Sequence, residues 1–163
     1  GYHREVRELP DPPGEWLERL AALLDVDTVA ACEPFEDRPL ATGTFRIHHS
    51  SGSWQVTLHP GGPDRIDGGW LGEHVLAPFW GIDDPRNDAR LRYIPGAEPR
   101  SVWRPRVTRH SDRCVFELAP VTTAQLKHVS DAGGTFPPKS TWIEPKLRSG
   151  LFIYQFDEPH GTV

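Results

Sequence analysis

Apolar and polar residues alternate most cleanly over residues 45–58. Phe45, Ile47 and His49 alternate with Arg46 and His48, Ser50-Ser51-Gly52-Ser53 turns the chain, and Trp54, Val56 and Leu58 alternate with Gln55 and Thr57 on the return. Period-two alternation on both sides of a turn predicts a β-hairpin. One apolar face per strand predicts a sheet covered on one side. The period becomes helical where Trp16, Leu17, Leu20, Leu23 and Leu24 follow Asp11-Pro12-Pro13. A capping Asp and first-turn prolines predict an amphipathic helix over about 12–25. Val26 to Cys32 is a short strand candidate, and 34–40 an acidic, proline-containing loop.

Asp67 is placed to cap a second helix through Trp70, Leu71, His74, Val75 and Leu76, with Pro78 predicted to kink or end it and Gly81 to close it. A loop at 83–88 leads to a strand at about 90–94. The stretch 97–112 has no clear period, because Pro99 and Pro105 interrupt any helix there. Residues 113–119 alternate as a strand. Thr122 can cap a helix from 123 to 131 that stops at Gly133-Gly134. A further strand is predicted from Trp142 and Ile143, and the apolar run 150–156 reads as a central, doubly covered strand. Hairpins dominate and no regular βαβ alternation appears, so the fold class is α+β, with a mainly antiparallel sheet and a few packed helices.

Composition adds bounds to this picture. At 163 residues, with 37% hydrophobic positions and six Trp, the chain suits one domain with a real core. No apolar run approaches the roughly 20 residues of a membrane helix, and no signal-peptide pattern opens the chain. Cys32 and Cys114 are too few for a disulfide framework or a four-thiolate zinc site, and the reading is a cytoplasmic protein. The sequence contains no Met, which reads as the C-terminal portion (1–163, one domain) of a longer protein whose N-terminal half is absent. The net charge of -5 hides an asymmetry: eight Arg face Asp88, Glu98 and Asp112 between residues 86 and 113, a local +5 against -10 elsewhere. A basic run attracts phosphates or nucleic acid, but nucleic-acid binders are more often basic overall, so a solvated, ion-paired face is the preferred reading.

The candidate chemistry is sparse. His48 and His49 point to opposite faces of a strand and cannot share a metal. They read as surface or edge histidines, and no metal set is completed. Cys114 reads as a small buried hydrophobe, and Asp83-Asp84 as a solvated turn in preference to a magnesium site. The segment 133–146, GGTFPPKSTWIEPK, is the most unusual. It is not a Walker motif, because Pro138 stands before Lys139 and has no N–H to give a phosphate. What remains is a proline-braced turn presenting Lys139, Ser140 and Thr141, with Lys146 further on. Lysine with hydroxyls suits an anionic group such as phosphate. A rigid connector whose Lys139 pairs internally is an equal alternative.

The run PPKSTWIEPKLRSGLFIYQF and the preceding APVTTAQLKHVSDAGGTF resemble the C-terminal signature of a large, uncharacterised bacterial family, the domain of unknown function 1015. EHVLAPFWGIDDPRNDARLRYIPG is similar to that family's leucine-rich helix, G-I-x-D-P-R loop and following strand, and Tyr2-His3-Arg4-Glu5-Val6 resembles its L-P-Y-x-R-V-V stretch. The family's aspartate–glycine–histidine–histidine–arginine motif is absent here, and 97–112 departs from its pattern. By analogy, that histidine-rich motif links the family to the ParB and sulfiredoxin superfamily, which includes kinases acting on free serine. The resemblance therefore implies a nucleotide-dependent phosphoryl-transfer enzyme acting on a small metabolite such as serine. This portion would contribute Lys139, Ser140, Thr141 and Lys146 as a phosphate-contacting edge, and its partners would be a phosphorylated or nucleotide ligand and the absent N-terminal half. No cofactor, catalytic residue or metal is specified.

Two other readings stand beside it. One is a non-catalytic scaffold or regulatory interaction module; the other, a nucleic-acid binder, trails both. The enzyme reading expects Lys139 exposed in a cleft, whereas the scaffold reading expects it consumed by internal hydrogen bonds. The nucleic-acid reading expects the arginines to form one face interleaved with exposed aromatics such as Trp103.

Overall fold

The computed structural model of the chain describes residues 2–9, 15–23, 26–35, 38–62 and 64–141. The strands predicted at 142–143 and 150–156 lie outside these residues. Among the described residues alternation is realised as six strands: β1 (Tyr2–Arg7), β2 (Thr28–Ala31), β3 (Thr44–His49), β4 (Gly52–Thr57), β5 (Leu91–Pro95) and β6 (Arg113–Leu118). They form one sheet in the order β2-β4-β3-β6-β1-β5. Every pairing is antiparallel, and with the helices this makes an α+β fold.

On one face lie Val6, Phe45, Ile47, Cys114, Phe116 and Leu118, in one cluster with Leu71, Val75, Leu76 and Trp80. The latter four belong to a continuous helical run: α2 (Asp67–Leu71), a π-helical turn (Gly72–Leu76) and α3 (Ala77–Trp80). Pro78 was expected to kink or end this helix, and the helix instead runs on to Trp80. Proline offers no N–H to the carbonyl four residues back, and the widened π turn just before it absorbs the mismatch. Gly81 then closes the run in the left-handed conformation, φ 60°, as its missing Cβ permits. The short helix α1 (Glu15–Leu23) adds Leu20 to this face.

The opposite face corrects the expectation of one-sided covering. Helix α4 (Arg100–Thr108) lies across it, burying Trp103 and Val107 against Ile94 and Val115. This helix forms in the stretch where prolines were expected to forbid one. Pro99 takes the N-cap position, where a missing N–H costs nothing. Pro105 sits inside the helix and forgoes one intrahelical bond, a loss offset by burial of its neighbours. Helix α5 (Thr123–Asp131) begins as predicted: Thr122 accepts the Gln125 N–H at 3.2 Å and Gln125 Oε1 accepts the Thr122 N–H at 3.0 Å, a capping box.

Candidate functional site

Two regions hold candidate chemistry. The first is the proline-braced turn after α5. Gly133 leaves α5 at φ 69°, and Pro137 then passes so close to α2 that a Cβ on Gly69 would stand 2.9 Å from Pro137 Cγ. The turn is tied to β1 through Arg4, whose guanidinium donates to the Tyr2 carbonyl at 2.7 Å and the Pro138 carbonyl at 2.9 Å while lying 4.3 Å over the Tyr93 ring. The Ser140 hydroxyl donates to the Pro137 carbonyl at 2.7 Å and is buried, so it closes the turn.

Lys139 stands differently. It is exposed, with φ 56°, a left-handed backbone that a side chain rarely adopts. Its ammonium has no acidic partner among the described residues and lies 5.7 Å from the Tyr2 ring centroid. With Tyr2, Arg4, Asp67, Gln125 and Ser140 it lines a cavity of about 20 Å³. That holds one water. Asp67 was expected to cap α2; it is the first residue of that helix, and its carboxylate instead accepts the Gly43 N–H at 2.9 Å. Burial pushes its pKa up against that bond and the nearby Arg65. Thr141 is half-buried next to Ser140, and Lys146 lies outside the described residues.

The second region is a polar layer between the sheet and α4. The β3–β6 register sets Arg46 opposite Glu117, and α4 sets Arg100 over it. Glu117 accepts from Arg100 through Oε1 and from His48 Nε2 at 2.9 Å through Oε2, with Arg46 at 3.8 Å. A carboxylate can only accept, so His48 Nε2 is the donor to Glu117, and His48 Nδ1 is hydrogen-bonded to the Ser53 hydroxyl at 2.8 Å. Phe35 stacks on His48 with ring centroids 4.5 Å apart. Nearby, Glu5 is fully buried with guanidinium nitrogens of Arg7, Arg106 and Arg113 at 3.4–3.6 Å.

These contacts correct the reading of His48 and His49 as surface or edge residues: they are 0% and 3% exposed. His49 faces the other side of the sheet, as the strand period requires, and its Nε2 donates to the Ser111 carbonyl at 3.0 Å. Among the described residues, four of the eight arginines between residues 86 and 113 are ion-paired within the protein. Arg90 pairs with Asp88, Arg100 with Glu117, Arg106 with Glu98, and Arg113 with Asp112. Trp103, which the nucleic-acid reading expected to be exposed for stacking, is 0% exposed. Asp84 accepts from the Arg86 N–H and the Asn87 side chain, making 83–87 a hydrogen-bonded turn. Cys114 is fully buried and its thiol is pushed far up by desolvation. No group of three or more metal-ligating side chains occurs among the described residues, and no helix among them is long and apolar enough to cross a membrane.

His3, on β1, edges a cavity of about 280 Å³ with Arg100, Glu117 and the β5–α4 turn. Its Nδ1 accepts the Leu118 N–H at 3.2 Å. Burial lowers its pKa to about 4, with the Arg100 charge acting the same way and the Glu117 charge opposing both. The folded state therefore holds a neutral ring where the unfolded chain, at 6.5, binds a proton. Stability linked to His3 is complete above about pH 6.5 and is lost as pH falls towards 4, by up to about 3 kcal/mol. Urea unfolding at pH 7.5 and pH 5 checks this: wild type should lose more stability over the interval than His3→Gln, and equal losses would refute it.

Glu117, Ser53 and the buried role of His48 escaped the sequence reading. The one available signal was a strand whose polar face, Arg46 and His48, lacked the small hydrophilic residues typical of solvent. Comparison of the chain with protein-family models, curated proteins and solved structures finds no match in any of the three.

Proposed function

We propose that this domain supplies the phosphate-contacting edge of a nucleotide-dependent phosphoryl-transfer enzyme acting on a small metabolite such as serine, with Lys139 as the contacting cation. One observation carries the reading: Lys139 is held exposed in a strained left-handed conformation, between a buried hydroxyl and a proline pair, with no acidic partner among the described residues. A connector would relieve such strain with glycine or use the ammonium internally; Lys127, by contrast, is paired with Asp131. Strain retained at a charged, exposed residue points to use of the side chain. Catalysis of phosphoryl transfer consists largely of positioning and charge stabilisation, which an oriented ammonium provides. The likeness of residues 137–156 to the family signature supports the same reading. Thr141 and Lys146 belong to the proposed edge by their place in that signature, whereas the Ser140 hydroxyl serves to hold the turn.

The test is the thermal midpoint of the chain with and without millimolar ADP, ATP and phosphoserine, beside Lys139→Ala. Alanine keeps the Cβ, so the backbone strain is unchanged and only the ammonium is lost. A ligand at 100 times its Kd adds about 2.7 kcal/mol of stability, and that shift should vanish in the variant. A shift equal in both proteins, or none with any ligand, sinks the phosphate role of Lys139.

A further inference from the structure

Ile66 walls the small Lys139 cavity on one side and, on the other, a hollow of about 530 Å³ between the α2–π segment and α5. Pro137 forms part of the rim of this hollow. Successive Cα atoms lie 3.8 Å apart, so Lys139 stands within about 8 Å of that rim, a span that one nucleotide bridges. The hollow has an aromatic wall. Trp70 and His74, one turn apart, stack with ring centroids 4.8 Å apart and planes 5° from parallel. His74 Nδ1 donates to the Trp70 carbonyl at 3.1 Å, which holds the imidazole flat against the indole while its outer face stays exposed. The same turn is π-helical, a distortion frequent where side chains are re-aimed for function.

The polar lining includes Arg65 and His128 and two carboxylates. Asp64 and Glu73 are both exposed and neither is ion-paired among the described residues. Carboxylates only accept hydrogen bonds. A flat ligand that stacks on His74 and offers N–H donors at its edge satisfies them, and a heterocycle bearing an exocyclic amine is such a ligand. The volume falls within the range of small-molecule sites.

We propose that this hollow holds an amino-bearing purine, the base of the nucleotide whose phosphates meet Lys139. The proposal rests on the phosphate reading above for the other half of the ligand, but the base site can be tested without phosphate. Calorimetric titration of the full chain with adenosine, purine riboside and ADP provides the test. Purine riboside has the same ring system with hydrogen in place of the amine.

Adenosine should bind at least tenfold more tightly than purine riboside, and Glu73→Gln should erase most of that preference. His74→Ala removes an exposed ring, so folding is spared, and it should weaken adenosine and ADP by the same factor, about tenfold. Lys139→Ala should weaken ADP alone. Adenosine binding that ignores both His74→Ala and Glu73→Gln overturns the base site, as does ADP binding sensitive to Lys139 with no adenosine binding at millimolar concentration. Adenosine binding sensitive to His74 with ADP indifferent to Lys139 keeps the base site and sinks the phosphate reading. Absence of binding by all three ligands overturns both.

Discussion

Glu117→Ala is expected to destabilise the protein by about 3–5 kcal/mol, and to leave it largely unfolded if its total stability lies at the low end of the usual range. The carboxylate is 3% exposed and is the only acid hydrogen-bonded to both His48 and Arg100 among the described residues, with Arg46 at 3.8 Å. Removing it takes away the carboxylate that His48, Arg46 and Arg100 share beside the core, and loss of one partner from a buried ionic cluster is what makes such a break costly. The intact cluster is not for that reason a large net source of stability, since desolvation offsets much of the Coulombic gain.

The pH dependence follows the same geometry. Burial alone would push the Glu117 carboxyl up, but hydrogen bonds from His48 and Arg100, and their charges, outweigh it and hold the group below the usual carboxylate range. Its contribution is therefore complete above the unfolded pKa and is lost as pH falls through the depressed folded value. Urea unfolding of Glu117→Ala and Glu117→Gln at neutral pH provides the check. Glutamine keeps the volume and one acceptor, so it should recover part of the loss. A cost below about 1 kcal/mol for the alanine variant would mean that water already neutralises the cluster.

Trp103→Ala should cost a similar amount, about 3–5 kcal/mol, for a different reason. Trp103 is the largest fully buried side chain among the described residues. It packs among Ile94, Val107 and Val115, with Phe35 at 5.5 Å, His48 at 5.6 Å and His3 at 6.0 Å between ring centroids. Truncation opens a cavity whose walls are strands and a helix with little freedom to collapse. The indole Nε1 has no hydrogen-bond partner among the described residues, so Trp103→Phe forfeits volume alone and should cost clearly less than alanine. Val102, adjacent in sequence but 52% exposed, is the control: Val102→Ala should stay within about 0.5 kcal/mol. Equal costs at 102 and 103 would refute the placement of α4. Because Trp103 touches His48, its loss should also couple to Glu117→Gln in a double-mutant cycle, by more than the few tenths expected of independent sites.

Elements with a strong local signal were legible in the chain. The 45–58 hairpin follows from alternation about a serine-rich turn, and α5 from Thr122 and the two glycines beyond it. Helix α4 was not legible, because its prolines oppose it locally and only the burial of Trp103 and Val107 against the sheet overrides them. Lys139 could be singled out as a candidate because Pro138 and Ser140 bracket it, but its exposure depends on Pro137 seating against Gly69 and on Arg4 reaching the Pro138 carbonyl. The Trp70–His74 stack has the helical spacing of an ordinary surface pair, and nothing local says that a hollow faces it.

The sequence by itself determined the α+β class, the antiparallel hairpin and the capped helix that leads into the glycine turn, since period, caps and turn residues act over a few positions. Tertiary structure decided what the polar strand face is for. Arg46, His48 and Glu117 come from residues up to 71 apart in the chain, and they meet because one register places β3 beside β6 and α4 closes over both. A polar residue on a strand looks the same in sequence whether water or a helix covers it. Only the covering element decides whether its charge is solvated cheaply or must find a partner inside.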